Sequence, residues 1–224
     1  MARMSPDPIT ARQFHEAAGV EDWRVVGEGA DAHFRTGSFA AGARFVQAIG
    51  ELAGFANHRG EVDLRPDSVT VRLFTFAPAP DGLSRRDVEL ARQISAVARE
   101  QGVAADPSAV QSVHISIDAL VRSDVMPFWR AVLGYADRAG TDDELNDPGD
   151  RWPTVFFQQM ETPRPQRNRI HVDVWVPPEL AEARMAAAIA AGGHLVTDQH
   201  APGWWVLADA EGNEACVATW VSSD

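Results

Sequence analysis

The chain has 224 residues and no lysine; all 20 of its basic residues are arginine. Schiff-base chemistry on a lysine amine is therefore excluded. With the richness in alanine, this bias reads as the mark of a GC-rich genome. The single cysteine, Cys216, rules out an internal disulfide and a metal site built from cysteines alone. No apolar run approaches the ~20 residues that cross a bilayer. Residues Met1 to Pro8 lack the apolar stretch of a secretory leader. A soluble cytoplasmic chain with no membrane role is the expectation. Positive charge is scarce too: the net charge is −12 and the pI about 4.9. Such a surface repels phosphate backbones, so a nucleic-acid partner is not expected. No glycine-rich phosphate loop precedes a helix, and no Gly-x-Ser-x-Gly elbow occurs. The acidic stretch Asp142 to Asp147 lacks the glycine and closing glutamate of a calcium loop.

What is present is ordinary globular material, 45% hydrophobic and 23% charged. The stretch Gln101 to Ser108 is small and contains Gly102 and Pro107. It reads as a linker between domains spanning 8–103 and 110–222, in an α+β chain. In the first half, Thr10 is placed to cap a helix. Trp23–Val26 and His33–Thr36 read as paired strands around a Gly29-Ala30-Asp31 turn. Phe45, Ile49, Leu52 and Phe55 share one stripe of a helix over 39–55. Ser68–Thr75 alternates as a strand, and Ser84 opens a helix carrying Val88, Leu90, Ile94 and Val97. In the second half, a strand over 113–118, a helix over 125–133 stopped by Gly134, and a strand over 154–159 are followed by a second such series. That series is a strand over 169–176, a helix over 178–191, and strands over 203–207 and 215–220. The pattern is a structural duplication without sequence repetition. His194 is expected at a helix end and His200 in a solvated loop.

The first half carries Asn57-His58-Arg59-Gly60, then Val69–Phe76, then Gly82-Leu83-Ser84-Arg85-Arg86-Asp87. Over about residues 8–100 this resembles pterin-4a-carbinolamine dehydratase. That resemblance implies a helix-on-sheet domain whose histidines serve as acid and base while a 4a-hydroxyl leaves a tetrahydropterin. His58 matches the first histidine of the family's His-His-Pro turn, and Asp87 matches its aspartate. Arg59 stands at the second histidine, Gly60 at the proline, Phe76 at the strand-end histidine and Gly54 at an upstream acidic residue. His58 and Asp87 are thus the candidate catalytic survivors. Arg59 and Phe76 are candidates to hold a flat pterin-like ligand by charge and stacking. The bland alternative makes His58 a turn residue and Asp87 a first-turn carboxylate.

The second half carries Phe128-Trp129-Arg130-Ala131-Val132-Leu133-Gly134, then Arg167–Asp173, Gly203–Leu207 and Glu211–Val217. Over about 112–222 it resembles the glyoxalase-like, bleomycin-resistance-like proteins of the vicinal oxygen chelate superfamily. The resemblance implies paired βαβββ modules forming a cup that holds a divalent metal, zinc, iron, manganese or nickel. By that resemblance His114, fourteen positions before Phe128, and His171 are metal ligands. Cys216 stands at the last ligand position, usually a glutamate. Glu214, two residues earlier on the same strand face, is the alternative and a candidate catalytic carboxylate. Gln158 is a further candidate contact. Trp175, Trp204 and Trp205 are candidates to line the cup, although adjacent Trp204 and Trp205 must point to opposite faces. Lyase or isomerase chemistry on an oxygen-rich or cyclic metabolite is the leading expectation. Pterin dehydration in the first half is one alternative, and ligand sequestration without turnover another. Both families self-associate, so a homodimer is expected.

Overall fold

The computed structural model describes residues 7–26, 29–55, 58, 60–75, 82–112, 114–163, 171–176 and 178–219. The chain divides into two compact units, 1–112 and 113–224.

The N-terminal unit runs β1 (Pro8–Ile9), α1 (Ala11–His15), β2 (Arg24–Val26), β3 (Gly29–Arg35), α2 (Phe39–Gly50), β4 (Glu61–Leu64), β5 (Ser68–Leu73), β6 (Leu83–Ser84), α3 (Arg85–Glu100) and β7 (Ala104–Ala105). Its main sheet is antiparallel in the order β2-β3-β5-β4, with β7 added to β3. Strand alternation explains the core. Ala30, Ala32 and Phe34 on β3 and Val69, Val71 and Leu73 on β5 are fully buried. They pack with Phe45 and Ile49 of α2 and Leu90, Ala91 and Ile94 of α3. Trp23, Phe34 and Phe45 meet edge to face, at 6.4 and 5.0 Å between ring centroids. The Trp23 indole N–H donates to Ser95 Oγ at 3.1 Å. Thr10 does cap α1, reciprocally with Gln13.

Three expectations need correction here. Gly29-Ala30-Asp31 is no turn: all three lie in β3, because Ala30 and Ala32 alternate into the core. The helix over 39–55 stops at Gly50, and Leu52, Phe55 and His58 follow through successive turn hydrogen bonds. Residues 101–108 are no linker. The Val103 amide bonds to Ala98, β7 pairs with β3, and Asp106 accepts from Arg35. The strand β4 escaped notice because its outward Glu61 and Asp63 hide the inward Val62 and Leu64.

The C-terminal unit runs β8 (Ile115–Ala119), α4 (Arg122–Leu133), β9 (Ala136–Asp137), β10 (Glu144–Asn146), β11 (Val155–Gln159), β12 (Val172–Trp175), α5 (Pro178–Ala190), β13 (His194–His200), β14 (Trp204–Ala208) and β15 (Glu214–Ala218). The expected duplication is there as two four-stranded sheets, β8-β11-β10-β9 and β12-β15-β14-β13. In each, the first and last strands of a βαβββ series pair in parallel and the rest antiparallel. Gly134 ends α4 with φ +72, the left-handed conformation that favours glycine.

The two modules share one core. Ile117, Phe157, Phe128 and Val132 from the first pack with Ala181, Ala188, Leu207 and Val217 from the second. Polar clamps cross between them: Trp129 Nε1 donates to buried Asp209 at 2.9 Å, and Glu211 accepts the amides of Leu120 and Val121 at the start of α4. Arg184 donates to the Val132 carbonyl at 2.9 Å. His194 and His200 lie on β13 rather than at a helix end and in a loop. Two register shifts along that strand break its alternation and hide it from a pattern reading.

Candidate functional site

In the N-terminal unit the turns after α2 carry His58 to the N-terminus of α3. His58 Nε2 lies 2.6 Å from Asp87 Oδ1, and both side chains are buried, at 3% and 0% exposure. The second oxygen, Asp87 Oδ2, accepts from Thr75 Oγ1 at 2.7 Å, Ser84 Oγ at 2.7 Å and the Ser84 amide at 2.6 Å. Burial pushes the Asp87 carboxyl upward, but the bonds from His58, Ser84 and Thr75 outweigh it and hold the group below its ordinary range. Asp87 is thus an anion, and its Oδ1 accepts from His58 Nε2. Among the described residues the buried Nδ1 of His58 has no hydrogen-bond partner. A backed imidazole with a free nitrogen can accept or return one proton.

The surroundings explain part of the departure from the dehydratase motif. A Cβ at Gly54 would stand 2.8 Å from Leu90, and one at Gly60 would stand 2.6 Å from the Phe55 ring. The glycines fit a tightly packed turn. Arg59 and Phe76 lie outside the described residues. Thr75 and Ser84 were missed as Asp87 partners. The signal for Ser84 was its spacing to Asp87, which places a carboxylate where it can accept from the capping residue.

In the C-terminal unit the parallel pairing of β12 with β15 sets Asp173 beside Cys216. His171, two residues before Asp173, lies on the same face. One ligand atom from each of His171, Asp173 and Cys216 falls within 4.8 Å of the others. His171 Nε2 and Asp173 Oδ1 are 3.4 Å apart, both half-exposed, while Cys216 is buried beneath them. Burial pushes the Cys216 thiol up to about 11, and Asp173 and Glu214 add to the shift. One nitrogen, one oxygen and one sulfur in reach of one point suit a borderline-soft divalent ion of the zinc type. The exposed side leaves coordination positions open.

Of the expected ligands the structure therefore brings together His171 and Cys216. His114 is exposed just before β8 and lies outside the three-residue group, and Asp173 stands in its place. Asp173 was legible from strand alternation once His171 was singled out. Glu214 is partly buried, two residues from Cys216 and also outside the group. Gln158 is exposed on β11, paired in register with Asp118 of β8. Trp205 packs toward the shared core, whereas Trp204 keeps 42% of its surface exposed and stacks on His200, at 4.3 Å between centroids and 19° between planes. Trp175 is the register partner of Ala218. Among the described residues no helix is long and apolar enough to cross a membrane.

The two halves of the chain match two family models. The family model described as pterin 4 alpha carbinolamine dehydratase matches residues 4–97, and that of the glyoxalase-like domain matches 114–218. A Nocardia farcinica protein named for pterin-4-alpha-carbinolamine dehydratase is 36% identical over 78 residues, covering 35% of this chain and 80% of its own length. A glyoxalase/bleomycin resistance protein/dioxygenase family enzyme from Burkholderia phytofirmans is 18% identical, with a TM-score of 0.40 over 48% of this chain and 97% of that one. The fosfomycin resistance protein FosX of Mesorhizobium loti is 11% identical, with a TM-score of 0.41 over 49% and 91%. The chain belongs to the pterin-4a-carbinolamine dehydratase family through its N-terminal unit, and carries a glyoxalase-like domain as its C-terminal unit.

Proposed function

We propose that the C-terminal unit holds a divalent cation with His171, Asp173 and Cys216 and acts on a small oxygen-rich or cyclic metabolite as a lyase or isomerase. The convergence of those three ligand atoms within 4.8 Å carries the reading. When bound, the cation supplies Lewis-acid polarisation of a substrate oxygen. His171 and Asp173, open to solvent, offer the approach, and Cys216 anchors the site from below. The test is metal content of the purified full chain after incubation with zinc, iron, manganese and nickel in turn. About one equivalent per chain, lost in both His171→Ala and Cys216→Ser, supports the reading. A chain that holds none of the four ions sinks it. We propose also that the chain acts as a homodimer in the cytoplasm, which sedimentation of the purified chain tests for assembly.

A second reading rests on a different observation: the buried Nδ1 of His58, whose ring is backed by anionic Asp87, has no partner among the described residues. It makes the N-terminal unit a 4a-hydroxytetrahydropterin dehydratase in which His58 alone moves the proton. Dehydration of the 4a-hydroxy pterin by the wild-type chain, lost in His58→Ala, supports it. Equal rates in the two chains refute it.

A further inference from the structure

The strand face that carries His171, Asp173 and Cys216 continues onto β14 and β13. Val206 is the register partner of Cys216, and Trp204, two residues before Val206, shares its side of the sheet. Strand rise and strand spacing set the Cα atoms of Trp204 and Cys216 about 8 Å apart on one face. His200 is the register partner of Trp204 across β13, and its imidazole lies flat against the indole. The pair is fixed in place. The Gly203 amide bonds back to His200, Thr219 donates its amide to Gly203 and its hydroxyl to the Pro202 carbonyl, and the Gln199 side chain reaches His200 Nε2 at 3.4 Å. With one ring face covered by His200, Trp204 still exposes 42% of its surface. A large apolar ring held rigid, half in water and beside a cation-ligand group, is a stacking surface for a flat ligand.

A ligand that uses both features must be planar and must carry adjacent donor atoms at one end. Fused pyrimidine–pyrazine rings meet both demands, because the 4-oxo oxygen and the neighbouring ring nitrogen N5 can chelate one cation while the ring plane stacks. The Cα separation of about 8 Å between Trp204 and Cys216 is comparable to the span of such a bicycle. The other half of the same chain belongs to a family named for this ring system. We infer that the C-terminal unit binds a pterin-class heterocycle, chelated at His171, Asp173 and Cys216 and stacked on Trp204 braced by His200. The two units of the chain would then serve one class of metabolite. The inference rests on the cation reading above, and its test separates the two.

The experiment uses the full chain, follows quenching of pterin fluorescence, and assigns to the C-terminal unit only the binding that zinc and Trp204 change. Pterin should bind in the presence of zinc and at least tenfold more weakly after its removal. Trp204→Ala should weaken binding at least fivefold, Trp204→Phe should restore most of it, and His200→Ala should give a smaller loss. Oxalate, which has adjacent oxygens and no ring, supplies the control: its zinc-dependent binding should be the same in the Trp204→Ala chain. Pterin binding that ignores both zinc and Trp204 overturns the inference while leaving the cation reading intact. Zinc and oxalate binding with no pterin binding does the same. Failure to bind zinc at all overturns the cation reading, and the inference with it.

Discussion

His58 and Asp87, 29 positions apart in sequence, share a 2.6 Å hydrogen bond between two buried side chains. The pair joins the turns after α2 to the first turn of α3, so its loss should be felt in the whole N-terminal unit. Asp87 keeps the Thr75 and Ser84 donors when His58 is removed. His58→Ala should therefore cost about 2–4 kcal/mol, near the lower end of what breaking a buried pair costs. His58→Gln, which retains a donor, should cost less. Urea unfolding of the N-terminal transition measures both, and an unchanged midpoint for His58→Ala would deny the pair a structural role.

Two buried aspartates of the same unit should respond to pH in opposite senses. Asp87 is held below its ordinary range, so its contribution is present above the unfolded value and lost as pH falls through the lower folded value. Asp31 is pushed up to about 6, chiefly by burial, against the opposing charge of Arg72 and with Glu61 adding to the rise. Its folded form favours the proton, so stability is greatest below the unfolded value and declines as pH rises from about 4 to about 6. The decline amounts to at most about 3 kcal/mol. Asp31→Asn should flatten that decline and leave the chain more stable than the parent at pH 7. Urea midpoints of both chains at half-unit steps from pH 4 to 7 check this, and parallel curves contradict it.

Packing around two glycines gives a contrasting pair. A Cβ on Gly193 would stand 2.2 Å from the ring of Phe128, which is fully buried and cannot move aside. Gly193→Ala should destabilise the C-terminal unit by about 2–3 kcal/mol through overpacking. A Cβ on Gly50, the last residue of α2, would meet nothing within 4 Å. Gly50→Ala should stabilise the N-terminal unit by about 0.5–1 kcal/mol. Thermal unfolding of the two variants beside the parent measures both, and shifts of the same sign would mean that one of these surroundings is misjudged.

The elements that announced themselves in sequence are those whose side chains repeat without interruption. Phe45 and Ile49 on α2, Leu90 and Ile94 on α3, and Val69 and Val71 on β5 fall on regular faces, and their elements and core positions were legible. The elements that escaped are those whose outward residues mask the inward ones, as Glu61 and Asp63 do on β4, or whose register is interrupted, as on β13 between Leu195 and His200. His58 and Asp87 were legible as candidates from the family motif, but their bond to each other and the further partners of Asp87 depend on how the turns after α2 and the Thr75 segment meet α3. The group proposed to hold a cation shows the same division. His171 and Cys216 were legible by position, whereas Asp173 in place of His114 depends on which strand pairs with β15. That pairing is set by burial of Val172, Ala215 and Val217 in the shared core, a property of the whole module.

Cys216 gives the last prediction. Its thiol is 5% exposed and is pushed up to about 11 by burial, with Asp173 and Glu214 adding to the shift. The thiolate is the nucleophile toward an alkylating reagent. At pH 8 a thiol titrating near 11 is about 0.1% ionised, against about a quarter for a free thiol near 8.5. Thiolate population alone slows alkylation of the cation-free chain by a factor on the order of a hundred, and burial slows it further. Asp173→Asn removes the nearer carboxylate and its hydrogen bond, so it should raise the rate several-fold at the same pH. Mass spectrometry of the iodoacetamide-treated chain at pH 8, with free cysteine as the reference, follows this single site without interference, because Cys216 is the chain's one cysteine. Labelling at a rate close to that of free cysteine would show that the thiol is neither shielded nor held protonated. Slow labelling that Asp173→Asn accelerates ties the two side chains together electrostatically, as their adjacency across the β12–β15 pair requires.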